Sequence, residues 1–430
     1  MPTSLQGIAK KAAHDKLYRF RNLFGMLTIT YVLSGWPLLN KRAASGVDRI
    51  SARAYGERLH DHVTSLVERV KTQCYRAKLV RRHYIPKGQG ALRPLGIPAT
   101  EDKLLQTAVT RILDAIYEQD FLASSYGYRK KIGARDAVRD LTRHLPLGPY
   151  GSVVEADIKG YFDHIDQARL MDMLRERIDD RPFLGLIRKW LKAGVRDTDG
   201  QVLHPVTGLP QGGIVSPVLA NLSLHHALDR WFAEVVQPHC AGQAALCRYA
   251  DDFVCACQFK RDAERFYRVL GKRLAKYGLA LAPEKTRLLR FRRYQKDAKS
   301  RFDFLGFTFF WGTDRTGKDR LQRRTARPRL KKALRNFTAW MKQARNQRLA
   351  ELMHELNSKL RGYYNYYGVH GNASRLAEFY YHVERILYKW LNRRSQKHSY
   401  TWQGFKDLLK QFAIARPRIT EPAHFRPVRT

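Results

Sequence analysis

Apolar and polar positions recur along the chain with short, distinct periods, and each period predicts an element. Residues 51–82 read as a helix that gives way to a basic extended segment, RRHYIPK. In KGQGALRPLGIP, Gly and Pro fall at turn spacing and predict a hairpin with a basic rim. Leu104, Leu105, Ala108, Val109, Ile112 and Ile116 place a helix over 101–121. SVVEADI (152–158) reads as a strand and 167–178 as a helix after it. PQGGIVSPVLANLSLHHALDRWF starts as a glycine-rich loop and becomes an apolar helix. LCRYA and FVCAC read as strands, with Asp251 and Asp252 between them as a two-residue turn. DAERFYRVLGKRLAKYG is an amphipathic helix stopped by Gly278, and RFDFLGFTFFW is a further strand pair. Beyond about residue 318 the period is helical. GTDRTGKD supplies linker chemistry, so a boundary is expected at 312–320. The resulting division is 1–44, 45–312, 318–412 and 413–430. The part up to 312 mixes strands and helices, and 318–412 is all helix.

Charge narrows the partners. The 430 residues hold 79 Lys and Arg against 39 Asp and Glu, a net charge of +40. Such a surface repels itself unless a polyanion lies on it, so nucleic acid is the expected partner and an anionic membrane surface the rival. No apolar run is long enough to span a bilayer. FGMLTITYVLSGWPLL (24–39) follows a basic start, as a signal peptide would. It is broken by Gly25, Gly35 and Pro37, and Lys41 and Arg42 stand where a cleavage site would be, so a buried N-terminal element is expected. Cys74, Cys240, Cys247, Cys255 and Cys257 form no C-x-x-C pair, which argues against structural zinc and suits a reducing cytoplasm.

The acids carry the candidate chemistry. Asp157 ends one strand, and Asp251 and Asp252 tip a hairpin. Three carboxylates converging from these places would raise one another's pKa unless cations neutralised them. Magnesium is the hard, oxygen-seeking choice, with manganese as a substitute. Two such ions about 3.5–4 Å apart clamp the attacking and leaving oxygens of a phosphoryl transfer. The residues alone leave open a second reading, in which the pair merely tips a solvated turn.

Seven blocks bear on that choice, in this order: RRHYIPKGQGALRPLGIPATEDKLLQ (81–106), SSYGYRKKIGARDAV (124–138), VVEADIKGYFDHID (153–166), GLPQGGIVSPVLANLSL (208–224), RYADDFV (248–254), GLALAPEKTRLLRF (278–291) and FDFLGFTF (302–309). Together they resemble the reverse transcriptases encoded by group II introns. The resemblance implies an α+β right-hand polymerase, fingers and palm, followed by an all-helical thumb and maturase domain. It implies that Asp157, Asp251 and the Ile158 carbonyl hold magnesium, with Asp252 as the second acid of the pair. Phe162 falls at the aromatic gate that refuses a 2′-hydroxyl, although the residue alone can also be read as a core ring. Asp163 reads as structural. Gln211 and Gly212 match the loop near the nascent base pair, and Lys87, Arg93 and Lys285 the residues that hold the triphosphate. Arg129 is open between template phosphate and pairing with an acid.

KLRGYYNYYGVHGN (359–372) and FYYHVERILYKWLNRRS (379–395) resemble the family's maturase domain, which grips intron RNA. Arg361, Tyr364, Arg393 and Arg394 are the expected RNA contacts, because Arg engages phosphate and Tyr stacks on unpaired bases. Partners implied are intron RNA, template RNA, a DNA primer and deoxynucleoside triphosphates, with no membrane. No cysteine follows Cys257, so a zinc-bearing HNH endonuclease is not expected. Two other functions stay open: a splicing cofactor with an idle polymerase, and a domesticated reverse transcriptase in phage defence or DNA repair.

Overall fold

The computed structural model describes residues 4–88, 91–294, 300–314, 316–394 and 399–422; the side chains of 87, 88 and 91 lie outside the described residues. The chain divides into two compact units. One is 1–134, 156–255 and 261–287, and the other 135–155, 256–260 and 288–430.

The first unit opens with the helix Leu5–His14, capped by the Ser4 hydroxyl, which accepts from the Gly7 N–H at 3.0 Å. Leu27 and Val32 are fully buried, so residues 24–39 contribute a packed element, as their pattern implies. The helix expected over 51–82 is two helices, Ala52–Glu57 and Leu59–Lys71, separated at Arg58. Strands β1 (Val80–Gly88) and β2 (Ala91–Ile97) form the expected antiparallel hairpin, with Arg81 opposite Ile97 and Ile85 opposite Arg93. Strand β3 is Ser152–Asp157. The short strands β4 (Val195–Arg196) and β5 (Val202–Leu203) extend the hairpin into a sheet of order β2-β1-β4-β5.

The helix Thr100–Tyr117 is buried along most of its length, including the polar Thr100, Glu101, Asp102 and Gln106. Buried polar groups need partners, and these have them. The Arg69 guanidinium pairs with Glu101. Asp102 accepts from the Tyr75 hydroxyl and from the Lys78 N–H at 3.1 Å, while Trp190 Nε1 donates to Tyr75 at 2.8 Å. Strands β6 (Ala244–Tyr249) and β7 (Asp252–Cys257) form the central hairpin. Its turn is Ala250-Asp251, with Ala250 at φ +56°, one residue earlier than the Asp251-Asp252 expected. With β8 (Arg287–Arg290), the sheet runs β6-β7-β3-β8.

The second unit holds a sheet of order β11-β10-β9, from β9 (Arg301–Phe304), β10 (Phe307–Thr313) and β11 (Asp319–Thr325). Here the expectation for 312–325 is corrected. The linker is a hairpin turn, closed by Asp314 N–H on the Lys318 carbonyl at 2.9 Å, and 319–325 is a strand rather than the start of an all-helical part. Alternation explains it: Leu321, Arg323 and Thr325 point inward, and an arginine at an inward position hides the period of two. Arg323 is tolerated there because Glu421 pairs with it. Helices Arg327–Ala344, Leu349–Tyr367, Ala373–Leu391 and Trp402–Gln411 enclose a core that includes Leu330, Met341, Leu356, Tyr364, Leu387 and Phe405. Asn372, fully buried, ties sheet to helices. Its Oδ1 accepts from the Thr325 N–H, and its Nδ2 donates to Thr325 Oγ1 and the Tyr367 carbonyl, each at 2.8 Å.

Candidate active site

The chain places Asp157 by its backbone first. Asp157 is the last residue of β3; its carbonyl accepts from the Ala282 N–H at 2.8 Å, and the Lys159 N–H donates to the Ala280 carbonyl at 2.8 Å. Ile158, between them, forms an antiparallel bridge with Leu281. Segment 280–282 thus clamps the strand end, and three residues later Lys285 returns its ammonium to the Asp157 carboxylate. That contact holds the Lys285 proton more firmly than usual.

Asp251 arrives from the other side on the β6–β7 turn. Burial pushes its carboxyl pKa up and the Asp157 charge adds to that, while Lys285 and Arg93 pull it down. Residues at four distant sequence positions therefore act on one another here. Asp252 opens β7, half-buried. Among the described residues, no group of three or more acidic, His or Cys side chains converges as a metal site. Of the expected trio, Asp157 and Asp251 act on each other through their charges. This donor set still suits magnesium, which usually takes one or two carboxylates and completes its shell with substrate phosphates and water. A lysine ammonium already seated on Asp157 marks the point where positive charge is wanted.

The remaining expected residues divide into those near this pair and those elsewhere. Arg93 is exposed on β2; the side chain of Lys87 lies outside the described residues. Phe162, half-buried in the helical turn Tyr161–His164, stands edge-on to Tyr128 at 6.0 Å and to Tyr161 at 5.6 Å. Its carbonyl accepts from the Leu209 N–H at 2.7 Å, joining it to the loop that carries Gln211. Gln211 Nε2 donates to Asp163 Oδ1 at 3.1 Å. Gly212 has φ +115°, and a Cβ there would lie 2.6 Å from the Gly96 carbonyl on β2, so only glycine lets the loop sit this close.

Arg129 is turned inward. Its guanidinium bonds Glu118 twice and the Leu122 and Ser125 carbonyls, and its side chain is only 12% exposed. Of its two open readings, the structure takes pairing with an acid. Tyr364 is fully buried in the helical core with its hydroxyl on the Ala415 carbonyl, so it has no face to offer RNA. Arg361 is exposed, and Arg393 is exposed over the Trp390 ring at 5.7 Å. Arg394 is half-buried, donating to the Gln347 carbonyl at 3.0 Å.

Three supports were missed in the sequence. Gln106 Oε1 accepts from the Ile214 N–H at 2.9 Å and holds the glycine-rich loop. Arg248, fully buried in β6, pairs with buried Asp229 and donates to Ser125 Oγ at 2.6 Å and the Ala250 carbonyl at 3.1 Å. It thereby fixes the turn that presents Asp251. Tyr128 faces Phe162. An arginine inside the apolar run LCRYA was a visible signal, since a buried charge must find a partner; which acid would meet it was not.

Comparison with known proteins shows which proteins the chain is similar to. The family model described as reverse transcriptase (RNA-dependent DNA polymerase) matches residues 85–309, and the group II intron maturase-specific domain matches 330–408. Protein YkfC of Escherichia coli K12 is 34% identical over 281 residues, 57% of this chain and 73% of that protein. The group II intron-encoded protein LtrA of Lactococcus lactis subsp. cremoris is 35% identical over 236 residues, 54% of this chain but 38% of its own length. The putative COX1/OXI3 intron 1 protein of Saccharomyces cerevisiae is 30% identical over 182 residues, 42% of this chain and 22% of its own.

Proposed function

This chain belongs to the group II intron-encoded reverse transcriptase/maturase family, and on that premise we propose that it is an RNA-directed DNA polymerase that also assists the splicing and mobility of a group II intron RNA. The observation that carries the reading is the Lys285 ammonium on the Asp157 carboxylate, where the Asp251 charge is also felt, in a chain that matches the reverse transcriptase family over 85–309. In right-hand terms, the β1–β2 hairpin is the fingers, the β6-β7-β3-β8 sheet the palm, and the helices beyond Thr325 the thumb and maturase domain.

Asp157, Asp251 and the Ile158 carbonyl are the oxygens that would hold magnesium, and Asp252 backs them from β7. Magnesium, when bound, neutralises charge on the transferring phosphate and its oxygens. Lys285 is poised to leave Asp157 for a triphosphate oxygen, with Arg93 on β2 as its partner in holding that group; Lys87, expected to share this role, has its side chain outside the described residues. Arg makes forked contacts to phosphate and Lys acts as a point charge. Phe162 covers the sugar position, and Gln211 with Gly212 borders the base pair. Positioning and neutralisation are the protein's work in phosphoryl transfer, and no side chain is needed as a general base. Arg361, Arg393 and Arg394 are the proposed intron RNA contacts; Arg129 and Tyr364 act as internal supports.

The test is primer extension by the purified chain on poly(rA)/oligo(dT), with and without magnesium. Wild type should extend only with the metal. Asp251→Ala should lose synthesis by at least about a hundredfold, the scale of losing one electrostatic stabiliser of a transition state, while retaining intron RNA binding. Undiminished extension by Asp251→Ala would remove that residue from the site.

A further inference from the structure

A five-residue strap, Ser124–Tyr128, lies along the hairpin that carries Asp251. Ser125 forms a parallel bridge with Arg248. The Arg248 N–H donates to the Ser124 carbonyl at 2.8 Å, and the Tyr126 N–H to the Arg248 carbonyl at 2.9 Å. Gly127 then passes so close to the turn that a Cβ would lie 2.2 Å from the Ala250 nitrogen. The strap is thus keyed to the turn itself, because any side chain at 127 would lift it away.

Tyr128 ends the strap at φ +59°, a left-handed conformation uncommon for a bulky residue. Strain of this kind persists where surrounding structure imposes it, and it clusters at functional sites. The ring is directed toward Phe162: the two planes are at 90°, with centroids 6.0 Å apart. This is the favoured edge-to-face arrangement. Among the described residues, Tyr128 and Tyr161 are the aromatic neighbours of Phe162. They differ in kind. Tyr161 is buried, with its hydroxyl on the Ala220 carbonyl, whereas Tyr128 is 43% exposed and contributes correspondingly less to the core. Burial, and then the Asp251 charge, push the Tyr128 hydroxyl pKa up to about 12, so it stays neutral beside the acid.

We propose that Tyr128 is a positioning residue for sugar selection, its ring holding Phe162 in place so that a ribose 2′-hydroxyl is refused. The proposal rests on the polymerase reading above. Phe162 turns about its own side-chain torsions; with Tyr161 alone beside it, the ring gains room to swing. The strap adds a second consequence. Because Gly127 is keyed to Ala250, the residue that sets the gate and the turn that presents Asp251 form one packed body.

The experiment compares Tyr128→Ala, Tyr128→Phe and Phe162→Ala in the full chain with magnesium. It reads the ratio of kcat/KM for a deoxynucleotide to that for its ribonucleotide. It also reads the ratio of their equilibrium Kd values on a primer ended by a dideoxynucleotide, where no chemistry occurs. Tyr128→Ala should lower both ratios by roughly threefold to tenfold, the scale of one edge-to-face ring pair. Tyr128→Phe keeps the ring and should restore the wild-type ratios. In the Phe162→Ala background, Tyr128→Ala should change them no further. Loss of stability alone would lower both sugars equally and leave the ratios untouched, so unchanged ratios in Tyr128→Ala overturn the proposal. A wild-type chain that binds deoxynucleotides selectively but never extends a primer would sink the polymerase reading, and the Kd ratio would still decide the role of Tyr128.

Discussion

Single residues set the terms of the site through charges that are buried and then matched. Arg248 and Asp229 are each fully buried and face each other across 19 positions of chain. Removing one partner of such a pair strands the other, at a cost of about 3–5 kcal/mol, whereas replacing both by apolar residues is far less damaging. Arg248→Met should therefore lower chemical-denaturation stability by that amount, and Arg248→Met with Asp229→Leu should recover most of it. Additive losses in the double variant would mean that the two side chains do not interact. Asp102 offers a different reading of burial. Desolvation pushes its carboxyl up to about 6 from the usual 3.8. The folded state then binds a proton more tightly than the unfolded one, so this group's contribution falls as pH rises from about 4 to 6 and is constant above. Asp102→Asn removes the titration, at the fixed cost of placing an amide where two donors point. Its melting temperature relative to wild type should therefore rise between pH 4.5 and 7, by the equivalent of about 2 kcal/mol. A pH-independent difference would show that Asp102 does not titrate there.

Elements are held in register by close backbone approaches. Gly212→Ala would push a Cβ into the Gly96 carbonyl at 2.6 Å with φ at +115°, and neither atom set is a flexible side chain. The glycine-rich loop must then lift from β2. A stability loss of about 1–3 kcal/mol is expected from the forced conformation, with a larger rise in KM for nucleotide than fall in kcat. An unaltered KM would separate the loop from the substrate. Asn372→Leu should likewise cost about 2–3 kcal/mol, read as an early melting transition, because Thr325 loses partners for its buried N–H and hydroxyl. This scale also shows what was legible beforehand. The β1–β2 hairpin, the β6–β7 hairpin and the helix Thr100–Tyr117 were visible because turn residues and apolar periods agree there. The strand β11 was not, since Arg323 occupies an inward position and only Glu421, 98 residues away, makes that tolerable. For the candidate site, Asp157 and Asp251 stood out as acids ending apolar runs, and the structure lets their charges act on each other. Tyr128, Gln106 and Asp229 did not, because their roles depend on long-range contacts that no local pattern encodes. Tyr364 misled for the opposite reason: a tyrosine cluster beside arginines reads as a stacking surface until burial is known.

At the scale of the whole molecule, a net charge of +40 makes affinity for nucleic acid a matter of counterion release. The run 320–335 refines into distinct environments, with Arg324 half-buried over the Phe310 ring. Arg323 is buried and paired, while Arg320, Arg327, Arg329, Lys331, Lys332 and Arg335 are exposed. Changing Arg327, Arg329 and Arg335 to Gln should flatten the salt dependence of intron RNA binding by about 0.7–0.9 in slope for each phosphate no longer neutralised. An unchanged slope would make this face a spectator. No described helix is long and apolar enough to cross a membrane.

The path of the chain through its two units has a practical corollary. Residues 135–155 and 256–260 are grouped with 288–430 although the ribosome makes them much earlier. The unit to which these early segments belong is completed only when the last third of the protein emerges. No single cut in the gene can liberate either half intact. An excised piece beginning at 318 would carry β11 without the neighbour it pairs with, a bare edge inviting aggregation. Anyone seeking the helical half as a separate RNA-binding reagent should retain at least β9 and β10 and supply the earlier segments by circular permutation.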